Sequence, residues 1–332
     1  MMHPGNMSLF EYVGIPAWHS KGYTGKGVCV ASLEGVRDVP HLQDVEHPQG
    51  QMNSYHGTNV MEVIAQVAPD CRKVSLMSGA QVRDGHVVSS VMLTKSFPWA
   101  MSNGVDIITA SVGGVRAVEV EEFIRSMKKN NGIIFTTSAG NTGDGSPGGY
   151  AESGEWLNIG AAHMLNGSVD RAAYSTIDGV TFLQFSGLMV ESRATRIYGT
   201  SFSCPMQAAM IALVQQFFSE KAGTKLNQDQ MLAFIADNCE PMSAKGTGLG
   251  LFILPDPDSI DVEKYTGGLD MAKIIELWVD NITARVDGQP VMLDVPPEIK
   301  QGRTLVPLRF IAEAMGAEVS YDPGPKKITI KG

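Results

Sequence analysis

Four side chains, far apart in the chain, have the types and settings that nucleophilic catalysis asks for: Glu34, His56, Asn141 and Ser201. Ser201 stands in "GTSFSCP" (199–205), between a glycine-containing loop and the start of an apolar helical run. A serine there has an exposed Oγ, a first-turn N–H without an intrahelical partner, and the positive end of the helix dipole beneath it. Pro205 is compatible with a position just inside a helix start. The plain alternative is an ordinary helix-capping serine. His56, in "HGTNV", also opens a helix, and Gly57 and Thr58 allow close backbone approach. Alone, a histidine at a helix start is more often structural. Asn141, in "TTSAGNTG" (136–143), follows a strand and turns on glycines, so its amide is free to point outward. Loops use Asn mostly as a turn residue. A fixed amide donor beside a nucleophilic serine is, however, what an oxyanion hole requires.

The elements that must position these residues form a regular alternation from residue 28 to about 215. Strand-like pieces fall at Val28–Leu33, Lys73–Met77, Asp106–Ala110, Gly132–Thr137 and Leu157–Ala161. Between them, "HGTNVMEVIAQVAP" puts Val60, Val63, Ile64 and Val67 on one helical face. "VEVEEFIRSMKKNNG" does the same with Val120, Phe123, Ile124 and Met127, and Gly132 stops it. Such alternation predicts an α/β fold with a parallel central sheet covered on both faces. Ligand chemistry in these sheets gathers at the carboxyl ends of the strands. Ser201–Phe218 is apolar nearly all round and should run through the core.

Read together, in the order Glu34, His56, Asn141, Ser201, the motifs resemble the subtilisin-like (subtilase) serine peptidases. The resemblance runs over roughly residues 10 to 255, through "GYTGKGV", "HGTNVMEVIAQVAP", "DIITASVGG", "SAGNTG", "GTSFSCPMQAAMIAL" and "GTGLGLFILP". It implies a three-layer fold and a serine endopeptidase, with Ser201 as nucleophile and His56 as general base. Asn141 and the Ser201 N–H would hold the oxyanion. Ser111, Val112 and Gly113, together with Gly114 in "SVGG", would pair with an extended polypeptide substrate. Along with Ser138, Ala139 and Gly140 they would line the pocket for the side chain before the cut. The bland alternative for "SVGG" is a strand-ending turn.

Three departures from the family pattern stand out. A long propeptide is usual, whereas here "GYTGKGV" begins at Gly22, so either the chain folds unaided or a short leader inhibits. Asn59 replaces a common second histidine, outside the proton path. Glu34 stands where the family has aspartate, with one residue deleted after it. Strand register puts Glu34 on the face of Val28, Val30 and Ser32, and a shift by one would aim Leu33 at the imidazole. A glutamate can orient the base as aspartate does, and the deletion could absorb its extra methylene. Asp38 is a fallback partner. The alternative left open is a catalytically impaired pseudoprotease acting as a peptide-binding or regulatory module.

The sequence also divides. Composition shifts at the Pro/Asp/Gly-rich "PDPDSIDVEKYTGG" (255–268), giving expected bounds of 1–258, a linker at 259–273 and a small α+β module at 274–332. The module predicts a hairpin around Asp287-Gly288, a short amphipathic helix in "TLVPLRFIAEAMG" and a second hairpin in "AEVSYDPGPKKITIK". It resembles the copper-amine-oxidase N-terminal (stalk) domain. With no His or Cys in the module, no copper is expected. The resemblance implies attachment to protein or cell-wall partners, with a stabilising spacer as the plain alternative.

A net charge of -9 without basic runs argues against nucleic acid. No apolar stretch is long enough to span a bilayer. The N-terminus lacks signal-peptide features, so a cytoplasmic location is expected, although the stalk resemblance points outside the cell. Four scattered cysteines read as buried free thiols. No cofactor or metal is expected; structural calcium is compatible with the sequence but not indicated.

Overall fold

The structure, a computed structural model, describes residues 2–331 other than 83–84, 89, 114–117, 146, 148, 267–274, 287–288, 301, 315–317 and 325. The chain forms two compact units, Met1–Tyr265 and Thr266–Gly332.

The first unit is built on a ten-stranded sheet. In chain order its strands are β1 (Cys29–Ser32), β2 (Val45–Glu46), β3 (Arg72–Ser75), β4 (Ile107–Ala110), β5 (Ile134–Ser138), β6 (Leu157–Leu165), β7 (Ser168–Arg171), β8 (Phe182–Phe185), β9 (Cys239–Glu240) and β10 (Leu251–Phe252). The spatial order is β9-β10-β8-β6-β5-β4-β1-β3-β2, with β7 on β6. The pairs from β2 through β8 and on to β10 are parallel, and only β9–β10 and β6–β7 are antiparallel.

The helices are α1 (Met7–Tyr12), α2 (Ile15–Ser20), α3 (Tyr55–Val67), α4 (Ser90–Ser102), α5 (Val118–Asn131), α6 (Thr200–Ala222) and α7 (Gln228–Asp237). Both faces of the sheet are covered, which explains the uninterrupted burial of β1, β4 and β8. On one face α6 crosses β1, β4, β5, β6 and β8 and packs on α3. There Val28 and Val30 join Val60, Val63 and Ile64 in one core. On the other face Cys29, Ala31 and Leu33 pack with Leu93 and Phe97 of α4 and with Val120, Ile124 and Met127 of α5.

Burial of α6 is continuous from Phe202 to Phe218. Its buried glutamines tie the helix to its surroundings. Gln216 Oε1 accepts from the backbone N–H groups of Thr24, Gly25 and Lys26 at 2.8, 2.8 and 3.0 Å, fixing the "GYTGKG" loop. The segment before that loop belongs to the core. Phe10, Val13, Ile15 and Trp18 are fully buried, and Trp18 Nε1 donates to the Pro255 carbonyl at 2.7 Å.

The first unit also reaches further along the chain than composition indicated. The short helix Val262–Thr266 lies inside the expected linker, and the Tyr265 ring packs 5.1 Å from Phe234 and 6.0 Å from Phe218. Aromatic packing, which composition does not report, sets this boundary.

The second unit contains a three-stranded antiparallel sheet (Ile275–Glu276, Thr283–Val286, Gln289–Met292), a helix (Leu308–Ala314) and the hairpin Glu318–Asp322 with Lys327–Lys331. A further pair, Glu298–Lys300 with Arg303–Leu305, was not legible in the sequence. The expected Asp287-Gly288 turn lies outside the described residues. Among the described residues no helix is long and apolar enough to cross a membrane.

Candidate active site

Three neighbouring strand ends frame the site. β1, β4 and β5 are consecutive in the sheet and parallel, so Glu34, Ser111–Gly113 and Ser138–Gly140 emerge side by side at their carboxyl ends.

Glu34 leaves β1 into a loop that is pinned at each carbonyl. Ser78 Oγ donates to the Leu33 carbonyl at 2.6 Å and Ser75 Oγ donates to that of Glu34 at 2.7 Å. Leu33 is fully buried against the α4–α5 layer, whereas the Glu34 carboxylate lies on the α3–α6 side, 2.5 Å from His56 Nδ1. Glu34 is only 2% exposed, and its second oxygen, Oε2, is buried without a hydrogen-bond partner. Asp38 is exposed and stands off this pair. Its charge acts on His47, whose pKa burial nonetheless holds below the usual value.

His56 is the second residue of α3, which Ser54 caps by accepting from Gly57 N–H at 3.1 Å. Gly57 lets the helix start press onto the Glu34 loop. A Cβ there would fall 2.1 Å from the Gly35 carbonyl oxygen and 2.8 Å from Glu34 Cβ. Gly35 is equally constrained, since its Cβ would lie 2.4 Å from that of Met52. These two contacts bring carboxylate and imidazole together. Burial acts to lower the His56 pKa, while the Glu34 charge and hydrogen bond raise it, and the balance lies above the ordinary 6.5.

Ser201 is the second residue of α6, after the cap Gly199, whose φ of +126° is a conformation that residues with a Cβ rarely adopt. Its hydroxyl donates to the Ser111 carbonyl at 3.4 Å, and Ser111 Oγ donates to the Ser201 carbonyl at 2.8 Å. The next side chain, Phe202, sets its ring 5.4 Å from the His56 ring, so the helix start and the imidazole adjoin. Asn141 is exposed, yet its orientation is fixed. Its Oδ1 accepts from Thr200 N–H at 2.9 Å and from Thr200 Oγ1 at 3.1 Å, leaving the NH₂ to face outward. Thr200 Oγ1 also accepts from Gly140 N–H at 3.2 Å.

Of the sequence-identified residues, the structure therefore brings Glu34 to His56, Ser111 to Ser201, and Asn141 and Gly140 to Thr200. Ser111 and Ala139 are buried, Val112 is half-buried and Gly113 exposed; Gly114 lies outside the described residues. Thr200, Ser75 and Ser78 were not singled out from sequence. Only Thr200 lay inside a quoted motif, and the two serines carry no local signal.

Asn59 is buried and accepts from Ser192 Oγ at 2.7 Å. Its neighbour Glu62 pairs with His41 at 2.6 Å and accepts from Ser192 N–H at 3.2 Å and Oγ at 3.1 Å, a second carboxylate–imidazole pair that ties loops to α3. All four cysteines are free thiols. Burial pushes Cys204, behind Ser201, up to about 11, and Cys29, Cys71 and Cys239 to about 12, so none competes as a nucleophile. Among the described residues no group of three or more His, Cys, Asp or Glu is placed to hold a metal ion.

Comparison with known proteins follows this geometry. The family model described as "Subtilase family" matches residues 36–250, and the one described as "Copper amine oxidase N-terminal domain" matches 260–330. Subtilisin NAT of Bacillus subtilis subsp. natto is 26% identical over 221 residues, covering 60% of this chain and 58% of that protein. M-protease of Shouchella clausii is 28% identical over 229 residues, covering 61% and 58%. The chain thus spans somewhat over half the length of these relatives. Among solved structures, the prenylagaramide maturation protease PagA superposes with a TM-score of 0.65 at 22% identity, over 76% of this chain and 99% of that one.

Proposed function

The chain belongs to the subtilase family of serine proteases, and we propose that it is a serine endopeptidase cleaving extended polypeptides through a Ser-His-Glu site. The observation that carries this reading is the 2.5 Å approach of Glu34 Oε1 to His56 Nδ1, beside the amino end of α6 where Ser201 sits. Glu34 accepts the Nδ1–H, which fixes the tautomer and turns Nε2 toward the nucleophile. Ser201 Oγ, freed from its long bond to Ser111, attacks the scissile carbonyl while Nε2 takes its proton. The resulting imidazolium faces the buried Glu34 carboxylate, which stabilises it. The carbonyl oxygen becomes an anion between the outward NH₂ of Asn141 and the first-turn N–H of Ser201, where the α6 dipole adds to the stabilisation. His56 then returns the proton to the leaving amine as the C–N bond breaks, and a water deprotonated by His56 attacks the acyl-serine, which releases the carboxyl product and regenerates Ser201. The substrate strand pairs along Ser111–Gly113, and Ser138–Gly140 walls the opposite side.

The test is direct. Ser201→Ala should lose both peptide hydrolysis and labelling by a fluorophosphonate probe. Hydrolysis that survives this substitution overturns the assignment. So does a wild-type protein that binds peptides yet is never labelled.

A further inference from the structure

The surface beside His56 carries a feature that the proton path does not use. Tyr55, directly before His56 at the first position of α3, leaves 62% of its surface exposed. The Arg37 guanidinium carbon lies 3.9 Å from the centre of the Tyr55 ring. Arg37 belongs to the same loop as Glu34, and its backbone N–H donates to Thr58 Oγ1 at 3.0 Å. The loop is thereby tied to the turn of α3 that bears His56.

Several arginines of the first unit have oxygen partners. Arg72 pairs with Glu46, Arg125 with Glu155, and Arg196 with the carbonyls of Gly187 and Gly5. Among the described residues the Arg37 guanidinium has the ring and neither a carboxylate nor a carbonyl. Its neighbour Asp38 is exposed to solvent. Stacking engages the flat face of a guanidinium and leaves its edge donors free, in a fork that matches a carboxylate. In a chain of net charge -9 this is a local cation at the cleft and no general attraction for acidic partners.

We propose that Arg37, braced on Tyr55, is a specificity-determining residue that selects an Asp or Glu side chain of the polypeptide substrate next to the scissile bond, on the His56 side of the cleft. The inference rests on the peptidase reading above. The wall between Ser111–Gly113 and Ser138–Gly140 rises from other strand ends and takes a different substrate side chain.

The experiment uses matched peptides carrying Glu, Ala or Lys at each position flanking the cut. The wild type should prefer the best-placed Glu over Ala by about two- to fivefold in kcat/KM, as a partly exposed ion pair supports, and the preference should shrink as salt rises. Arg37→Ala should abolish the preference, read as the ratio of Glu to Ala peptide within the variant, and Arg37→Glu should turn it toward Lys. An unchanged Glu-to-Ala ratio in Arg37→Ala overturns the proposal. Fluorescence anisotropy of labelled peptides on Ser201→Ala, with and without Arg37→Ala, reads the same ratio without turnover. A wild type that hydrolyses none of the peptides defeats the peptidase reading, while the binding ratio still decides the role of Arg37.

Discussion

Glu34 is the residue on which the proposed chemistry turns, and two substitutions separate its length from its charge. Glu34→Asp withdraws the carboxylate from His56 by about 1.5 Å, one C–C bond. A misplacement of that size should cost about 10- to 100-fold in kcat/KM, with the protein folded by circular dichroism. Glu34→Gln keeps the length and removes the charge. Hydrolysis should then fall by about four orders of magnitude, as for other triads that lose the acid's charge. The pH profile follows from the same pair. His56 must be neutral to act as base, and its pKa stands above 6.5 because Glu34 outweighs burial. The acid limb of log kcat/KM should therefore have its midpoint above 6.5, and Glu34→Gln should move that midpoint down. A wild-type midpoint at or below 6.5 contradicts this balance. The residue identities were legible in the sequence, and strand register pointed to Glu34 over Leu33. That Oε2 has no hydrogen-bond partner among the described residues was not, since it depends on how separate segments pack around the carboxylate.

At the scale of elements, the site depends on two helix starts held against strand ends. The contact of Gly57 with Gly35 has no room for a methyl group, so Gly57→Ala must push α3 off the Glu34 loop. The expected result is a lower melting temperature together with a loss of kcat, measured on one preparation; full activity at unchanged stability would show that the loop yields freely. At the other helix start, Asn141→Ala should lower kcat by about 10²- to 10³-fold, as removal of one oxyanion donor does, with KM little changed. Periodicity in the sequence located β1, β3, β4, β5, β6, α3, α5 and α6 to within a few residues, because each buries a continuous run or a clear face. It missed the antiparallel pair Glu298–Lys300 with Arg303–Leu305, every described residue of which is exposed, so no apolar alternation marks it.

For the whole molecule, the boundary between the two units makes a prediction of its own. A chain ending at residue 258 loses the Tyr265 contacts with Phe218 and Phe234, whereas one ending at 266 keeps them. Two aromatic pairs of this kind contribute about 1–3 kcal/mol, which should lower the melting temperature of the shorter chain by several degrees. Calorimetry of the two truncations checks this, and equal melting temperatures would remove Tyr265 from the first core. The longer truncation should keep its activity on small peptides if the site is complete in the first unit.

By itself the sequence determined the layered α/β architecture, the order of the motifs and the residue types of the site. These depend on local periodicity and on short motifs whose meaning is chemical. Tertiary structure alone decided that Glu34 meets His56, that Thr200 aims Asn141, and that Arg37 rests on Tyr55. Each is a contact between segments tens of residues apart or on separate loops, and its distance is set by how strands, helix starts and glycine-only approaches pack together.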